Sequence, residues 1–423
     1  MRHYPSLRVS EEKVNAAGAG IQLARTAYLP RVDVLAQANR ATRNNVFGLL
    51  LPQGTIPSIS GPVLGSNNFG SVWGSAMGAL VSWEPFDFGF RQANVDAAAA
   101  AKAQSQASLE RTRFDVAVAA TDSFMTVLAA QEAVRAARAA EERAAVVARM
   151  IHTLAEAELR PGADAARADA EVAAARTQAI RAQQAAEVAR AGLSRFVGLE
   201  PAAIVPYAPR LTRLPPERSV APLDAAANPA VREQNATIEQ LRAQIKALSR
   251  SCFPRFALQG AAYARGSGAE VGGGRQGGLN GLVPDTQNYA LGFTLTFPLL
   301  DRYAARARQG GQEAALRAEE ARYRQLTTDL KAQWNAAVAS LAGTRLVAAN
   351  TPVQVRAAQQ AVEKATARYQ SGLGTIDELA EAQRLLAQSE IDDSLARLGV
   401  WRALLSIAAA AGDLQPFLVE SSS

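Results

Sequence analysis

Between residues 288 and 297 bulky apolar side chains alternate with small or polar ones. Tyr289, Leu291, Phe293, Leu295 and Phe297 occupy one set of positions, and Ala290, Gly292, Thr294 and Thr296 the other. Successive side chains of a strand point to opposite faces, so this pattern predicts a strand with one bulky apolar face. The same period of two recurs three times. Val32, Val34, Ala36 and Ala38 alternate with Asp33, Leu35, Gln37 and Asn39, while Trp73, Met77, Val81 and Trp83 share one side of a second run. Phe256, Leu258, Gly260 and Ala262 alternate with Ala257, Gln259, Ala261 and Tyr263 in a third. Strands are expected at about 31–43, 70–84, 255–265 and 288–297.

Around the strands the period lengthens to that of a helix. Long helices are predicted at about 90–159, 164–196, 303–369 and 375–411, and shorter ones at 5–27 and 229–251. At 1.5 Å per residue the two longest would each reach about 100 Å. Val116, Ala120, Phe124, Val127, Ala130 and Val134 form a narrow seam suited to coiled-coil contacts. Punctuation is regular. The short helices open on proline, where a missing N–H costs nothing, and stop before Pro30 and Pro254, because proline disfavours helical geometry in the residue before it. Pro85 and Pro298 mark the exits from the strands, followed by Asp87 and Asp301, which read as N-caps of the long helices. Tip turns are expected at Gly162 and Gly372.

The chain is a duplication. Tyr4-Pro5-Ser6-Leu7-Arg8 overlies Asn228-Pro229-Ala230-Val231-Arg232 at an offset of 224 (229 minus 5), and without a gap Ile21 then meets Ile245, Pro30 meets Pro254 and Arg31 meets Arg255. The expected organisation is a first repeat at 1–197, a proline-rich connector at 198–227, a second repeat at 228–411 and a tail at 412–423. The connector should wrap or link rather than build a core. Polar, glycine-rich loops at 44–68 and 266–286 are too long for tight hairpins.

Composition narrows the picture. Of 423 residues 48% are hydrophobic but only 6% aromatic, and alanine carries most of the apolar fraction, which packs long helices better than a globular core. Lys and Arg number 45 against 39 Asp and Glu, giving +6, interleaved along the same helices. That describes solvated faces, and no nucleic-acid stripe. Cys252 is alone, so no internal disulfide can form, and it cannot build a zinc site with the distant His3 and His152. With no phosphate loop, nucleophile elbow or nucleophile-base pair, neither an enzyme nor a cofactor is expected. No run of about 18 to 20 consecutive apolar residues suggests a transmembrane helix, whereas barrel strands need only about 9 to 11 alternating residues. The opening Met1-Arg2-His3-Tyr4-Pro5 lacks the apolar core of a signal peptide.

Four strands carrying aromatics outward cannot close or bury themselves, so they need a covering layer or further copies of the chain. The attached helices run far beyond the strands, which favours closure by oligomerisation. Trp73, Trp83, Phe293, Leu295 and Phe297 are then the expected lipid-facing positions. Past Gly372, the acids Asp377, Glu378 and Glu381 enter the first turns of a helix, where carboxylates favour the dipole. Were three copies to meet there, Glu378 and Glu381 would form rings of negative charge at a constriction.

This architecture resembles the TolC-type outer-membrane efflux protein family across essentially the whole chain. Ala367-Arg368-Tyr369-Gln370-Ser371-Gly372 followed by Thr375-Ile376-Asp377-Glu378-Leu379 and Glu381 is similar to the family's second-repeat tip. The first tip, Leu159-Arg160-Pro161-Gly162-Ala163-Asp164, is a looser match. The resemblance implies a mainly α protein with a transmembrane β-barrel part: a homotrimer with a twelve-stranded outer-membrane barrel, continued by a long periplasmic α-helical barrel. It implies a passive conduit of tripartite efflux or type I secretion, docked to a periplasmic membrane-fusion adaptor and an inner-membrane pump of the RND or ABC type. By position Glu378 and Glu381 match the acids of the closed aperture, and Tyr369 the tyrosine that helps hold it shut. No matching arginine follows Gly372, where Leu373 and Gly374 stand. Family members begin with a signal sequence, so the start reads as placed too late or trimmed. The competing reading is a periplasmic coiled-coil adaptor or scaffold with a soluble β-domain, which would have no reason to turn its aromatics outward.

Overall fold

The computed structural model describes residues 4–42, 70–217, 219–270 and 274–422; His3 and the loop expected at 44–68 lie outside them. The elements in chain order are α1 (Pro5–Thr26), β1 (Arg31–Thr42), β2 (Ser71–Phe86), α2 (Phe90–Glu156), α3 (Gly162–Val197), α4 (Pro229–Arg250), β3 (Arg255–Ser267), β4 (Thr286–Thr296), α5 (Asp301–Gln370), α6 (Ile376–Ala411) and α7 (Gln415–Ser422). The duplication is visible in the lengths: α1 and α4 have 22 residues each, α3 and α6 have 36, and α2 and α5 have 67 and 70. Two compact units divide the chain. One holds Asn15–Ala103 and Ile238–Ala318, the other Met1–Val14, Gln104–Thr237 and Glu319–Ser423.

The first unit is built on one antiparallel sheet in the order β1-β2-β3-β4. Register fixes its two faces, because residues paired across strands share a face. Trp83 pairs with Leu258 and Leu258 with Phe293, while Val32, Val81, Gly260 and Leu291 make the next row. On the reverse face Ser82, Gln259 and Gly292 form a row, and Gly78, Tyr263 and Asn288 another. The apolar face is bare: Tyr289 is 88% exposed, Leu291 80% and Phe293 64%. Trp83, Leu295 and Phe297 are also exposed there, whereas Trp73 is half-buried, with the Arg40 guanidinium 5.5 Å from its ring centroid.

Pro30 and Pro254 stand immediately before β1 and β3, and Pro298 just beyond β4. Pro85 lies inside β2, where the ladder to β3 shifts register between Trp83 and Phe86; a residue without an N–H is tolerated at such an irregularity. Asp87 is buried and tied into the start of α2. Its carboxylate accepts from the backbone N–H of Gly89 at 3.2 Å and of Arg91 at 2.7 Å, and from Arg91 Nε at 2.8 Å. Burial pushes this carboxyl up, but the Arg91 backbone and guanidinium outweigh it and hold Asp87 below the ordinary carboxylate range. Asp301 departs from its expected role. It is the exposed first residue of α5, the first turn closing instead from Tyr303 N to Leu300 O at 3.2 Å, so its carboxylate acts on the helix dipole and not as a cap.

In the second unit the interior is a helix bundle. α2 buries more than the single predicted seam. Val116 and Ala120 pack with Leu7 and Phe196, Val127 packs with Leu193 and Ile204, and Met125 and Leu128 pack with Leu398, Trp401 and Leu405. Phe124, Ala130 and Val134 are only half-buried. Trp401 is the largest fully buried side chain, and its indole N–H donates to Arg213 O at 2.8 Å. The connector corrects its expectation, since Ile204 and Leu211 are buried and belong to the core, as do Leu414 and Phe417 of the tail. Among the described residues one helix, α6, is apolar and long enough by composition to cross a membrane, although charged residues interrupt its apolar run. It is here the central packing element, with buried Asp393 accepting from Thr351 Oγ1 at 2.8 Å.

Candidate functional site

The candidate site lies where α2 turns into α3 and α5 turns into α6, all within the second unit. Gly372, at φ +80°, gives the second turn the left-handed residue that ends α5, and Arg368 O receives the N–H groups of Leu373 at 2.9 Å and Gly374 at 3.0 Å. Thr375 then caps α6, accepting from Glu378 N at 3.3 Å. The first turn uses a different residue from the one expected. Glu158 is left-handed at φ +55°, whereas Gly162 opens α3 with open space where a Cβ would stand. Glycine is therefore favoured at 372 and dispensable at 162.

Tyr369 joins the two turns. It is fully buried among Ile151, Ala165, Ala168 and Leu379, and its hydroxyl donates to Asp164 Oδ2 at 2.8 Å. Burial foremost, and then the bond to the Asp164 carboxylate, pushes its pKa up to about 12. The Arg160 guanidinium stacks over its ring, 4.3 Å from the centroid, and donates to the carbonyl oxygens of Tyr369 and Gly374. Arg160 thus reaches the second turn from the first, on the opposite side of the junction. Its identity was legible in the first tip, but its partners lie 209 and 214 residues away.

The three acids are exposed, and each has an arginine beside it. Arg167 Nη2 lies 3.2 Å from Asp377, Arg368 Nε 3.7 Å from Glu378, and Arg384 Nη1 3.6 Å from Glu381. Arg384 also holds Glu171, whose hydrogen bond raises the guanidinium pKa. Sequence reasoning singled out the carboxylates and missed Arg167 and Arg384. Exposed pairs of this kind are worth little in stability, but each guanidinium offsets part of the charge of the acid beside it. No group of metal-ligating side chains exists among the described residues. Alongside, α2, α3 and α6 enclose an open groove of about 580 Å³, walled largely by alanines such as Ala137, Ala140, Ala174 and Ala387, with Arg143 and Arg181 among its polar members.

Comparison with known proteins places this geometry. The family model described as outer membrane efflux protein matches residues 2–199 and 223–413. Protein CyaE of Bordetella pertussis is 24% identical, over 97% of this chain and 82% of that protein. Among the solved structures that share the fold are those of two outer-membrane proteins. The outer membrane protein VceC from Vibrio cholerae superposes with a TM-score of 0.76 at 16% identity, covering 97% of this chain and 94% of that one. The Campylobacter jejuni CmeC outer membrane channel gives 0.76 at 14% identity, covering 100% and 87%.

Proposed function

The chain belongs to the outer membrane efflux protein family, and from that premise we propose that three copies join their sheets into one twelve-stranded barrel in the outer membrane. The helices continue it as a tube through the periplasm. The observation that carries this is the sheet itself: four strands, an apolar face with Leu291 80% exposed, a reverse face mostly of small and polar residues, and, among the described residues, β1 and β4 each with an unpaired edge. A soluble domain would leave both the bare aromatics and the unpaired edges in water. Pooling three sheets removes the edges and gives the apolar face to lipid.

The conduit is passive, and its closed point is the tip. The Tyr369–Asp164 bond and the Arg160 clamp tie the two turns of a protomer together, which supports their role as the latch. Glu378, Glu381 and Asp377 line the aperture, their charge moderated by Arg368, Arg384 and Arg167. The alanine-walled groove lets another helix approach closely, which supports docking of a periplasmic membrane-fusion adaptor coupled to an inner-membrane pump.

Leu295→Asp tests the reading. Under it, the native chain sediments with membranes, requires detergent and runs as a trimer, and the variant fails to assemble in the membrane. A variant that remains a soluble, somewhat loosened monomer, like a native chain soluble without detergent, returns the protein to the scaffold class.

A further inference from the structure

Pro30, Val81, Trp83, Leu258, Gly260 and Leu291 line an open groove of about 410 Å³ on the apolar face of the sheet. Gly260 makes it. In its row Val81 and Leu291 stand on either side, and the glycine between them contributes no side chain, so the floor drops to the backbone. Trp83 and Leu258 form the wall in the adjoining row, and Trp83 is held in place by its indole N–H, which donates to Tyr28 O at 3.1 Å. The lining is apolar apart from the Trp83 indole N–H, which is already taken up by Tyr28 O. Such a groove excludes a polar ligand and suits a flexible hydrocarbon chain.

Its position selects the source of that chain. Phe86, Phe88, Phe253, Phe256 and Phe293 cluster at the helix-bearing end of the strands, with ring centroids 4.7 to 6.1 Å apart. Aromatic groups of this kind sit at a membrane interface, and the helices beyond them mark the periplasmic side. The groove begins beside that belt and runs away from it, which on the membrane reading carries it into the acyl region of the periplasmic leaflet. This leaflet is made of phospholipid, whereas lipopolysaccharide occupies the outer one.

We propose that this groove is a binding site for one acyl chain of a phospholipid, so that each protomer carries a resident lipid against β2, β3 and β4. The inference rests on the membrane reading above and adds a ligand to it. Gly260→Leu is the direct test, because a Cβ there would meet only Leu291 Cδ1, at 3.7 Å, so the groove fills without disturbing the ladder. Gly292→Ser, on the reverse face with open space at its Cβ, is the control. The three proteins are extracted from membranes, washed extensively in detergent and examined as intact oligomers by native mass spectrometry, with extracted phospholipid measured per chain.

Native protein and Gly292→Ser should retain about one phospholipid per chain, and Gly260→Leu about tenfold less, the effect of losing the burial of some two methylenes. Equal retention in all three, no retained lipid in any, loss in the control, or lipopolysaccharide as the retained species overturns the proposal. Each of those results leaves a detergent-dependent trimer intact and so leaves the membrane reading standing. A native chain that needs no detergent removes both.

Discussion

The hydroxyl of Tyr369 is the sharpest place to perturb the tip. Tyr369→Phe keeps the buried ring, its packing on Ile151 and Leu379 and the Arg160 guanidinium above it, and removes only the bond to Asp164 Oδ2. A hydrogen bond to a charged acceptor contributes about 1.5–3 kcal/mol, and Asp164 is half-buried, so water recovers part of the loss and the lower figure applies. About 1.4 kcal/mol is a tenfold change in an equilibrium constant, so the open fraction of the tip should rise roughly tenfold. Purified protein in planar bilayers reports this directly as more frequent conducting events at fixed voltage. Asp164→Asn keeps an acceptor and should have a smaller effect, and combining the two should add little beyond Tyr369→Phe alone. Conductance indistinguishable from native, or single effects that add in full, would show that this bond does not hold the tip.

The same tyrosine sets an alkaline limit. Its folded pKa of about 12 lies above the ordinary value of 10.0, so its contribution is fully present below about pH 10 and is lost as pH rises toward 12. Tip conductance should be flat at neutral pH and rise only in that window, and the tyrosinate absorbance of Tyr369→Phe should lack the latest-titrating step. If these residues line the tip aperture as proposed, Glu378→Ala with Glu381→Ala should shift the reversal potential in a salt gradient toward anions, and Arg368→Ala with Arg384→Ala toward cations. If neither pair moves it, these four residues only trim helix ends. In the bundle, Trp401→Ala removes a fully buried indole and orphans Arg213 O, so it should cost about 3–5 kcal/mol in denaturant unfolding. A loss under about 1 kcal/mol would mean that the site collapses around the smaller residue.

What could be read along the chain was whatever repeats with a local period. Alternation at 289–297 assigns Leu291 and Phe293 to one face because every strand reverses its side chains at each residue, whatever it packs against. Prolines at 30, 254 and 298 mark junctions for an equally local reason, the loss of an N–H and of helical geometry in the preceding residue. The offset of 224 gives the duplication, and the residues after Gly372 give the tip its acids. Tertiary structure decided which groups meet. Arg160 reaches Tyr369 and Gly374 across more than two hundred residues, and Arg167 sits beside Asp377, because two helical hairpins pack side by side. Ile204 and Leu211 enter the core from a proline-rich connector for the same reason: burial depends on the surface a residue happens to face. Conformation at the turns was likewise settled by packing, which placed the left-handed residue at Glu158 and left Gly162 an ordinary helical start. Local steric rules fix elements and faces from the chain itself, whereas partners are fixed only when distant segments compete to exclude water from the same space.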